Sequence, residues 1–434
     1  MHQPLMEINT LCVVIGAGSA GYGATIAALR DGCSVLLAER HGFPGGMGTV
    51  SGISSYINYK YHGEDLSESV YRALRKDIFE ADGGYLGDGE HVDFFDVEVS
   101  KRIMENHILR MGGKLLYHSL LRTISRDAGG WILRFACKGA TVLVRARFVI
   151  DATGDADACT LAGAGYTHGR NGDGKTQPMS MIVQVGGFEP EKWAESGGKL
   201  IHGRYACGGD CFSGEIAQAR AEGYWNIPRE NIAMWWAMPK NPTHITINGS
   251  RLLGYDACNP FDVTAAEIEG RKQAGVIASF FKRYIPGFAN SHILSTGPQI
   301  GVRESRRIVG LRTLTEQDIA VQRQPDDMVV RCAYPIDIHS PDNAKTNFDK
   351  VNGELLYGIP YGCLLPEGLE NMAAAGRCIS ASHEAAGSFR VMPTCMAIGE
   401  AAGVAVALAH RQGIMLSEVD PRNIRDRLDE ALGK

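Results

Sequence analysis

Leu11-Cys12-Val13-Val14-Ile15-Gly16-Ala17-Gly18-Ser19-Ala20-Gly21 is followed, after a small-residue run over 24–29, by Val35-Leu36-Leu37-Ala38-Glu39. An apolar run, a glycine turn, small residues and a second apolar run ending in an acid predict strand, turn, helix and strand. The spacing GxGxxG gives each glycine its own task. Gly16 permits a tight turn off the strand. Gly18 lets a phosphate approach backbone that a Cβ would shield. Gly21 lets the helix pack close to the strands. The helix N-terminus, with Ser19 and Ala20 in its first turn, offers free N–H groups to a pyrophosphate. Glu39 stands 18 residues after Gly21, near the spacing of a carboxylate that accepts ribose hydroxyls. The stretch predicts a dinucleotide site, without separating a nicotinamide from a flavin dinucleotide.

At 434 residues the chain has room for two large domains. With 44% hydrophobic and 21% charged residues it reads as an ordinary globular protein. A formal net charge of −5 argues against nucleic acid or an anionic membrane as partner. Neither a signal peptide nor an uninterrupted apolar run of about 18 residues is evident, so a cytoplasmic location without a membrane span is expected. The 11 cysteines are scattered and contain no CxxC. Reduced core thiols are therefore expected. Cys207 and Cys211 form the one close pair, read as incidental thiols in a glycine-rich loop rather than a redox dithiol.

Apolar spacing predicts helices over 64–81 (Leu66, Val70, Leu74, Ile78) and 95–111 (Val99, Ile103, Ile108). Strands are expected over 114–118, then over 120–125, 131–136 and 141–147 as a three-stranded antiparallel meander. A further buried strand over 148–151 leads into Ala152-Thr153-Gly154-Asp155. From about residue 166 the style changes, with strands over 179–185 and 244–248 and a long helix over 262–284 capped by Asp262. The first style returns near 355, with a strand over 371–375 and an Ala/Gly-rich helix over 394–410. Asp420-Pro421 reads as cap and first residue of a last helix. Gly169-Arg170-Asn171-Gly172-Asp173-Gly174-Lys175-Thr176 carries the letters of a P-loop. A P-loop must open a helix, whereas Gln177-Pro178 and an apolar strand follow here and nothing strand-like runs into Gly169. A hairpin loop is expected instead. Gly163 and Gly165 read as a helix C-terminus, not as a second dinucleotide turn.

Four blocks together resemble the FAD-dependent oxidoreductases of the glutathione-reductase-like fold, most closely the family related to the succinate dehydrogenase/fumarate reductase flavoproteins. They are the stretch from Gly16 to Glu39; Glu39-Arg40 with Gly45-Gly46-Met47-Gly48-Thr49; Asp151-Ala152-Thr153-Gly154-Asp155; and Ala375-Gly376-Arg377-Cys378 through His383-Glu384 to Arg390-Val391-Met392-Pro393-Thr394. Gly301-Val302-Arg303-Glu304-Ser305-Arg306-Arg307 and Tyr334-Pro335-Ile336-Asp337-Ile338-His339 also fit this family. The resemblance implies an α/β architecture: a Rossmann-like FAD-binding domain with a three-stranded β-meander insertion, plus a second α+β substrate or cap domain. The FAD-binding domain would comprise 1–165 and 355–434, and the cap domain 166–354. It implies that Glu39 meets the adenosine ribose, with Arg40 beside it, and that Leu120 or Leu121 touches adenine. Gly45, Gly46 and Met47 would pass close to the pyrophosphate and ring, with Thr49 near the flavin. Ala152, Thr153 and Gly154 would make a second close approach, and Gly376 and Arg377 would meet the ribityl-phosphate end. The wider fold has an acid where Arg377 stands. The N-terminus of the last long helix, supplied by Met392, Pro393 and Thr394, would face the negative charge of a reduced flavin. Some relatives attach flavin through a histidine near His41, but the spacing differs here, so non-covalent FAD is expected.

With flavin supplying the redox chemistry, the protein positions substrate and moves protons. The candidate groups are Arg303, Glu304, Arg306, Arg307, His339, His383, Glu384 and Arg390. Arg303 and His383 lead, with Arg390 and Glu304 beside them as catalytic residues. Arginine suits an anionic substrate through its two-pronged fork, and histidine suits proton transfer near neutral pH. No metal site is read. The expected activity is hydride transfer between flavin and a small, possibly anionic, organic molecule, with an unidentified electron acceptor and self-association left open. The alternatives are a flavin-dependent hydroxylase, a flavoprotein subunit passing electrons to a partner, and a nicotinamide-dependent dehydrogenase. The last leaves Gly45-Gly46 and the Thr394 helix without a role.

Overall fold

A computed structural model describes residues 5–57, 60–86, 92–198, 211–348 and 354–434. β1 (Leu5–Ile15) runs into Gly16, whose φ of 93° turns the chain into α1 (Ser19–Arg30), and β2 (Val35–Ala38) follows. Next come α2 (Ser69–Glu80), α3 (Val97–Arg110), β3 (Lys114–Leu116), β4 (Ser119–Asp127), β5 (Gly130–Cys137), β6 (Ala140–Asp151) and α4 (Asp157–Leu161). The middle of the chain contributes β7 (Val183–Gly186), β8 (Ala233–Met238), β9 (Asn241–Asn248), α5 (Pro260–Tyr284) and β10 (His292–Thr296). The chain closes with β11 (Met372–Ala374), α6 (His383–Phe389), α7 (Met392–Gln412) and α8 (Pro421–Ala431).

The main sheet has the order β3-β2-β1-β6-β5-β4, with β11 also on β6. β3, β2, β1, β6 and β11 are parallel, and β5 and β4 pair antiparallel. Strands buried on both faces read as unbroken apolar runs, which is why β1 and β2 stand out in the sequence. The two strands expected over 141–147 and 148–151 are one. Its register with β1 runs from Leu5–Thr141 to Ile15–Asp151. The change of style in the sequence marks a change of neighbour: β5 pairs with β6 through Ala146, and β11 takes over at Val149.

α1 and α7 cross with backbone against backbone. A Cβ at Gly23 would lie 2.2 Å from the Met396 carbonyl oxygen, and one at Gly399 would lie 1.9 Å from that of Ala20. α7 is long and apolar enough to cross a membrane by length and composition, yet 83% of its apolar window is buried inside the protein. It shares its core with α1 and also with Leu314, Ile319, Val329, Val330, Tyr334 and Leu355. A second antiparallel sheet has the order β8-β9-β7-β10. Ala274, Ile277, Phe280 and Phe281 of α5 share a core with Val183, Val185, Ile245 and Ile247 of that sheet.

Several local expectations are corrected. The helix expected from 64 begins at Ser69, because Glu64 and Asp65 pair with Tyr61 and Lys60 in a small hairpin. Its N-terminus is served from α7, where Glu400 accepts from the Val70 N–H at 3.0 Å and from Arg30 at 2.9 Å. The cap of α5 is Asn259, whose side chain accepts from the Phe261 N–H at 3.0 Å. Asp262 instead accepts from the Asp256 N–H at 3.1 Å. The strand expected over 179–185 is regular only from Val183. A short strand, Tyr166–His168, does run into Gly169 and pairs with Arg306–Ile308, so the 169–176 loop joins no hairpin. It closes on itself through Arg170 N–H to the Lys175 carbonyl, and no helix follows it directly. Cys207 lies outside the described residues, whereas Cys211 is disulfide-bonded, against the expectation of an incidental thiol.

Candidate active site

Ile15 and Ala38 end β1 and β2, and Ala152 and Ala375 directly follow β6 and β11. All four line one cavity of about 770 Å³. Ligands of open α/β sheets bind in this crevice, outside the carboxyl ends of the strands.

The cavity wall is built from paired turns. Gly16, Gly18, Ser19 and Ala20 form its floor. The loop carrying Gly46 and Met47 docks on that turn, with the Gly45 N–H donating to the Ala17 carbonyl at 2.7 Å. The approach is so close that a Cβ on Gly46, at φ 53°, would lie 2.6 Å from the Gly18 Cα. Glu39 is buried, and its two oxygens accept from the Ala17 N–H at 2.6 Å and the His41 N–H at 2.8 Å. Each oxygen keeps a further lone pair for a ligand hydroxyl. Arg40, Leu120 and Leu121 line the same end.

On the opposite side Asp151 organises the turn after β6. It accepts from the Thr153 N–H at 3.0 Å, the Thr153 hydroxyl at 2.7 Å and the Cys159 N–H at 2.8 Å. Thr153 and Gly154 thereby reach the cavity, with Gly376 and Arg377 beside them. The Arg377 guanidinium lies over Gly154, where a Cβ would come within 2.9 Å of its Nε. It donates to Asp155 at 2.8 Å and Ser305 at 3.2 Å. Burial pushes the Asp155 carboxyl up, but Arg377 and the Ser305 hydroxyl outweigh it and hold it below its ordinary value.

The far end of the cavity is different in character. Arg303, Arg390, Asp337 and His339 line it together with Val92, Phe94, Met234 and Trp235. Arg303 donates to the Pro178 carbonyl at 2.6 Å and the Ser180 hydroxyl at 2.7 Å. Arg390 donates to the Asp337 carboxylate at 3.2 Å and its carbonyl at 3.0 Å. Phe94 stacks on Trp235 with centroids 5.6 Å apart. The Trp235 indole N–H donates to the Ser54 hydroxyl at 2.9 Å.

Several expected site residues stand off this wall. Gly21 packs the turn, since a Cβ there would lie 1.8 Å from the Gly16 carbonyl oxygen. Gly45 faces Thr49, whose hydroxyl donates to the Pro44 carbonyl at 2.6 Å and so braces the Gly46 loop from behind. Pro393 and Thr394 face a separate small cleft beside Cys332 and Tyr334. The helix end reaches the cavity through Val391, Met392 and Cys395 instead, because consecutive helical residues point in different directions.

Glu304 and His383 are corrected more sharply. His383 Nδ1 lies 2.8 Å from Glu304, which also pairs with Arg307 and accepts from the Gln177 N–H at 3.0 Å. Their side chains are 1% to 3% exposed, and the group ties the 304–307 segment to the start of α6. Burial pushes the Glu304 carboxyl up, but His383 and Arg307 draw it below its ordinary value. In the sequence Asp337 stands within a family-like block and His339 among the candidate groups, and neither is marked there as catalytic. Nothing in the local sequence marks Arg229 or Arg251, which stand in no motif.

The residues present fit an extended dinucleotide: glycine backbone where a Cβ would fill the cradle, a fixed carboxylate at one end, and a helix N-terminus near the other. The chain belongs to the FAD dependent oxidoreductase family, whose model matches residues 12–428. It is accordingly an FAD-dependent enzyme. No significant match is found among the curated proteins. Among solved structures it is similar to p-nitrophenol 4-monooxygenase PnpA from Pseudomonas putida DLL-E4, at 11% identity and a TM-score of 0.50, over 99% of this chain and 86% of that one. It is also similar to a geranylgeranyl bacteriochlorophyll reductase-like protein from Thermoplasma acidophilum, at 12% identity and 0.49, over 97% and 82%. A third is the flavin-dependent brominase Bmp2, at 14% identity and 0.45, over 98% and 84%. At these identities the likeness concerns the fold alone.

Proposed function

We propose that the protein transfers a hydride between a non-covalently held FAD and a small organic substrate bound in the same cavity. One observation carries this reading. The enclosure that starts at the glycine turns continues, without a dividing wall, to the group made by Phe94, Trp235, Arg303, His339 and Arg390. In this reading 1–165 and 355–434 form a Rossmann-like FAD-binding unit with β4–β6 as its meander. The sheet β8-β9-β7-β10 is then the cap that closes over the substrate.

FAD, when bound, supplies the redox chemistry. The chain's own groups do the rest. Glu39 accepts ribose hydroxyls, and the Gly16, Gly18 and Gly46 backbone lets phosphate approach. The N-terminal end of α7 offers partial positive charge to the ring. The apolar residues Val92, Phe94, Met234 and Trp235 exclude water and orient the substrate. The test is anaerobic addition of a panel of small organic compounds to the FAD-loaded protein. Bleaching of the flavin band by a member of the panel supports the reading. In a parallel incubation under air, product that carries an oxygen atom from O2 would make the protein a hydroxylase. Turnover that requires an added protein acceptor would make it an electron-transfer subunit. Either result overturns the proposal.

A further inference from the structure

Asp337 and His339 sit among arginines drawn from four separate segments. Arg390 is on Asp337. Arg251 Nη1 lies 3.4 Å from His339 Nδ1, and Arg303, Arg229 and Arg390 all act on His339 electrostatically. Arg229 and Arg251 are 8% and 3% exposed and stand behind the wall. Backbone and amide oxygens anchor them. Arg229 donates to the Asn231 and Ser250 carbonyls and to Asn248, and Arg251 donates to the Ser340 and Lys345 carbonyls. Among the described residues, none of Arg229, Arg251 and Arg303 forms an ion pair with an acid, and Asp337 is the carboxylate that acts on all three. Four positive charges therefore face one negative charge.

Guanidinium does not lose its proton in proteins, so this excess is not relieved by titration. Burial and mutual repulsion press Arg303 well below its ordinary value, and burial brings Arg229 and Arg251 down to about 10. A cluster so pressed has an unmet demand for negative charge. A donor on the cavity wall waits as well: Arg390 Nε is buried without an acceptor. A buried donor left unpaired costs about 1–3 kcal/mol, more where it is charged. His339 cannot serve as the counter-charge. The Arg251 guanidinium can only donate to its Nδ1, so the neutral ring carries its hydrogen on Nε2.

We propose that this end of the cavity binds an organic carboxylate, its head on Arg303 and Arg390 and its apolar body against Phe94, Met234 and Trp235. The proposal rests on the reading that FAD and substrate share the cavity. It names the substrate class for that site. Arginine forks match a carboxylate with two parallel bonds. Arg229 and Arg251 raise the local potential without touching the ligand, as the charges behind the first layer of a low-dielectric pocket do. The apolar wall beside the head suits an organic acid better than a bare inorganic anion.

The experiment compares benzoate with benzamide, which shares its size and ring and lacks its charge. Each is titrated into the FAD-loaded enzyme, with the flavin absorption spectrum and the melting temperature as readouts. Benzoate is expected to perturb the flavin band saturably and raise the melting temperature. Benzamide is expected to bind at least about tenfold more weakly. Arg390→Gln and Arg303→Gln, each checked for retained FAD, are expected to weaken benzoate about 10- to 100-fold. Equal binding of acid and amide by the unmodified enzyme would overturn the proposal, whatever the variants do. So would a full panel of organic acids that leaves both readouts unmoved while FAD stays bound, and in that case the hydride-transfer reading survives. If the protein holds no FAD, that reading fails, and the melting-temperature comparison still tests the carboxylate site.

Discussion

Glu39 is fixed by the Ala17 and His41 N–H groups before any ribose meets it. Its position shows how a single residue joins fold and chemistry. The same carboxylate that holds the glycine turn is the one a ribose would use. Glu39→Ala is expected to lower FAD affinity about 10- to 100-fold, the scale of a hydrogen bond to a charged group, in a fluorescence titration of flavin. His339 supports a second prediction. Burial first, and then Arg303, Arg390, Arg229 and Arg251, hold its imidazole well below its ordinary 6.5. Asp337 faces it as the one acid, with Nε2 and a carboxylate oxygen 3.6 Å apart. The folded protein keeps His339 neutral where the unfolded chain is already protonating it. Stability is therefore full above 6.5 and is lost as pH falls below it, by up to about 1.4 kcal/mol per pH unit. The melting temperature of His339→Gln should fall less steeply than that of the parent below about pH 6.5. The contrast between Glu39 and the arginines explains what the sequence discloses. Glu39, Gly16 and Gly18 do their work within one βαβ unit, so spacing exposes them. Arg229 and Arg251 matter through His339 and Asp337, about a hundred residues away, and no local pattern marks them. His383 misleads for the same reason: its neighbour Glu384 suggests a site, while its real partner, Glu304, comes from another segment.

At the level of elements, the crossing of α1 and α7 places the cofactor end of the cavity. Gly23, Gly399 and Gly403 let the two helices touch through backbone, and a Cβ at Gly403 would lie 2.3 Å from the Ala24 carbonyl oxygen. The crossing brings Val391, Met392 and Cys395 to the wall that Ser19 and Ala20 complete. Gly399→Ala is expected to cost about 3 kcal/mol or more, since backbone must move to admit the methyl group. Gly275 lies within α5 with nothing within 4 Å of its would-be Cβ. Gly275→Ala should therefore raise stability by about 0.5–1 kcal/mol. Denaturant unfolding of the two variants, read with flavin absorbance, checks both signs. The glycine-rich character of α7 is plain in the sequence, and tight packing is its correct reading. Which residues of the first turn face the cavity is not legible there. That depends on the roll of the helix, which the contact with α1 sets.

Across the whole molecule, two sheets meet over one cavity. The parallel sheet brings four strand ends to its floor, and residues between Ser180 and His339, joined by Val92, Phe94 and Arg390, bring the cationic and aromatic end. The parallel half is legible because both faces of its strands are buried and its turns are glycine-marked. The other half is less so. Its strands carry no cofactor motif, and the chain returns from it into the first core through Leu314, Val329 and Leu355. In the proposed arrangement this enclosure holds FAD, with the remaining space for substrate. The most direct test is the flavin absorption of the purified protein and of Gly46→Val before and after acid precipitation, with the flavin-to-chain ratio measured in each. One FAD per chain, released to the supernatant by acid and missing from a Gly46→Val protein that still folds, is the predicted result. A parent protein that stays colourless when supplied with FAD, flavin that stays with the pellet, or a Gly46→Val variant with full FAD content would contradict the account.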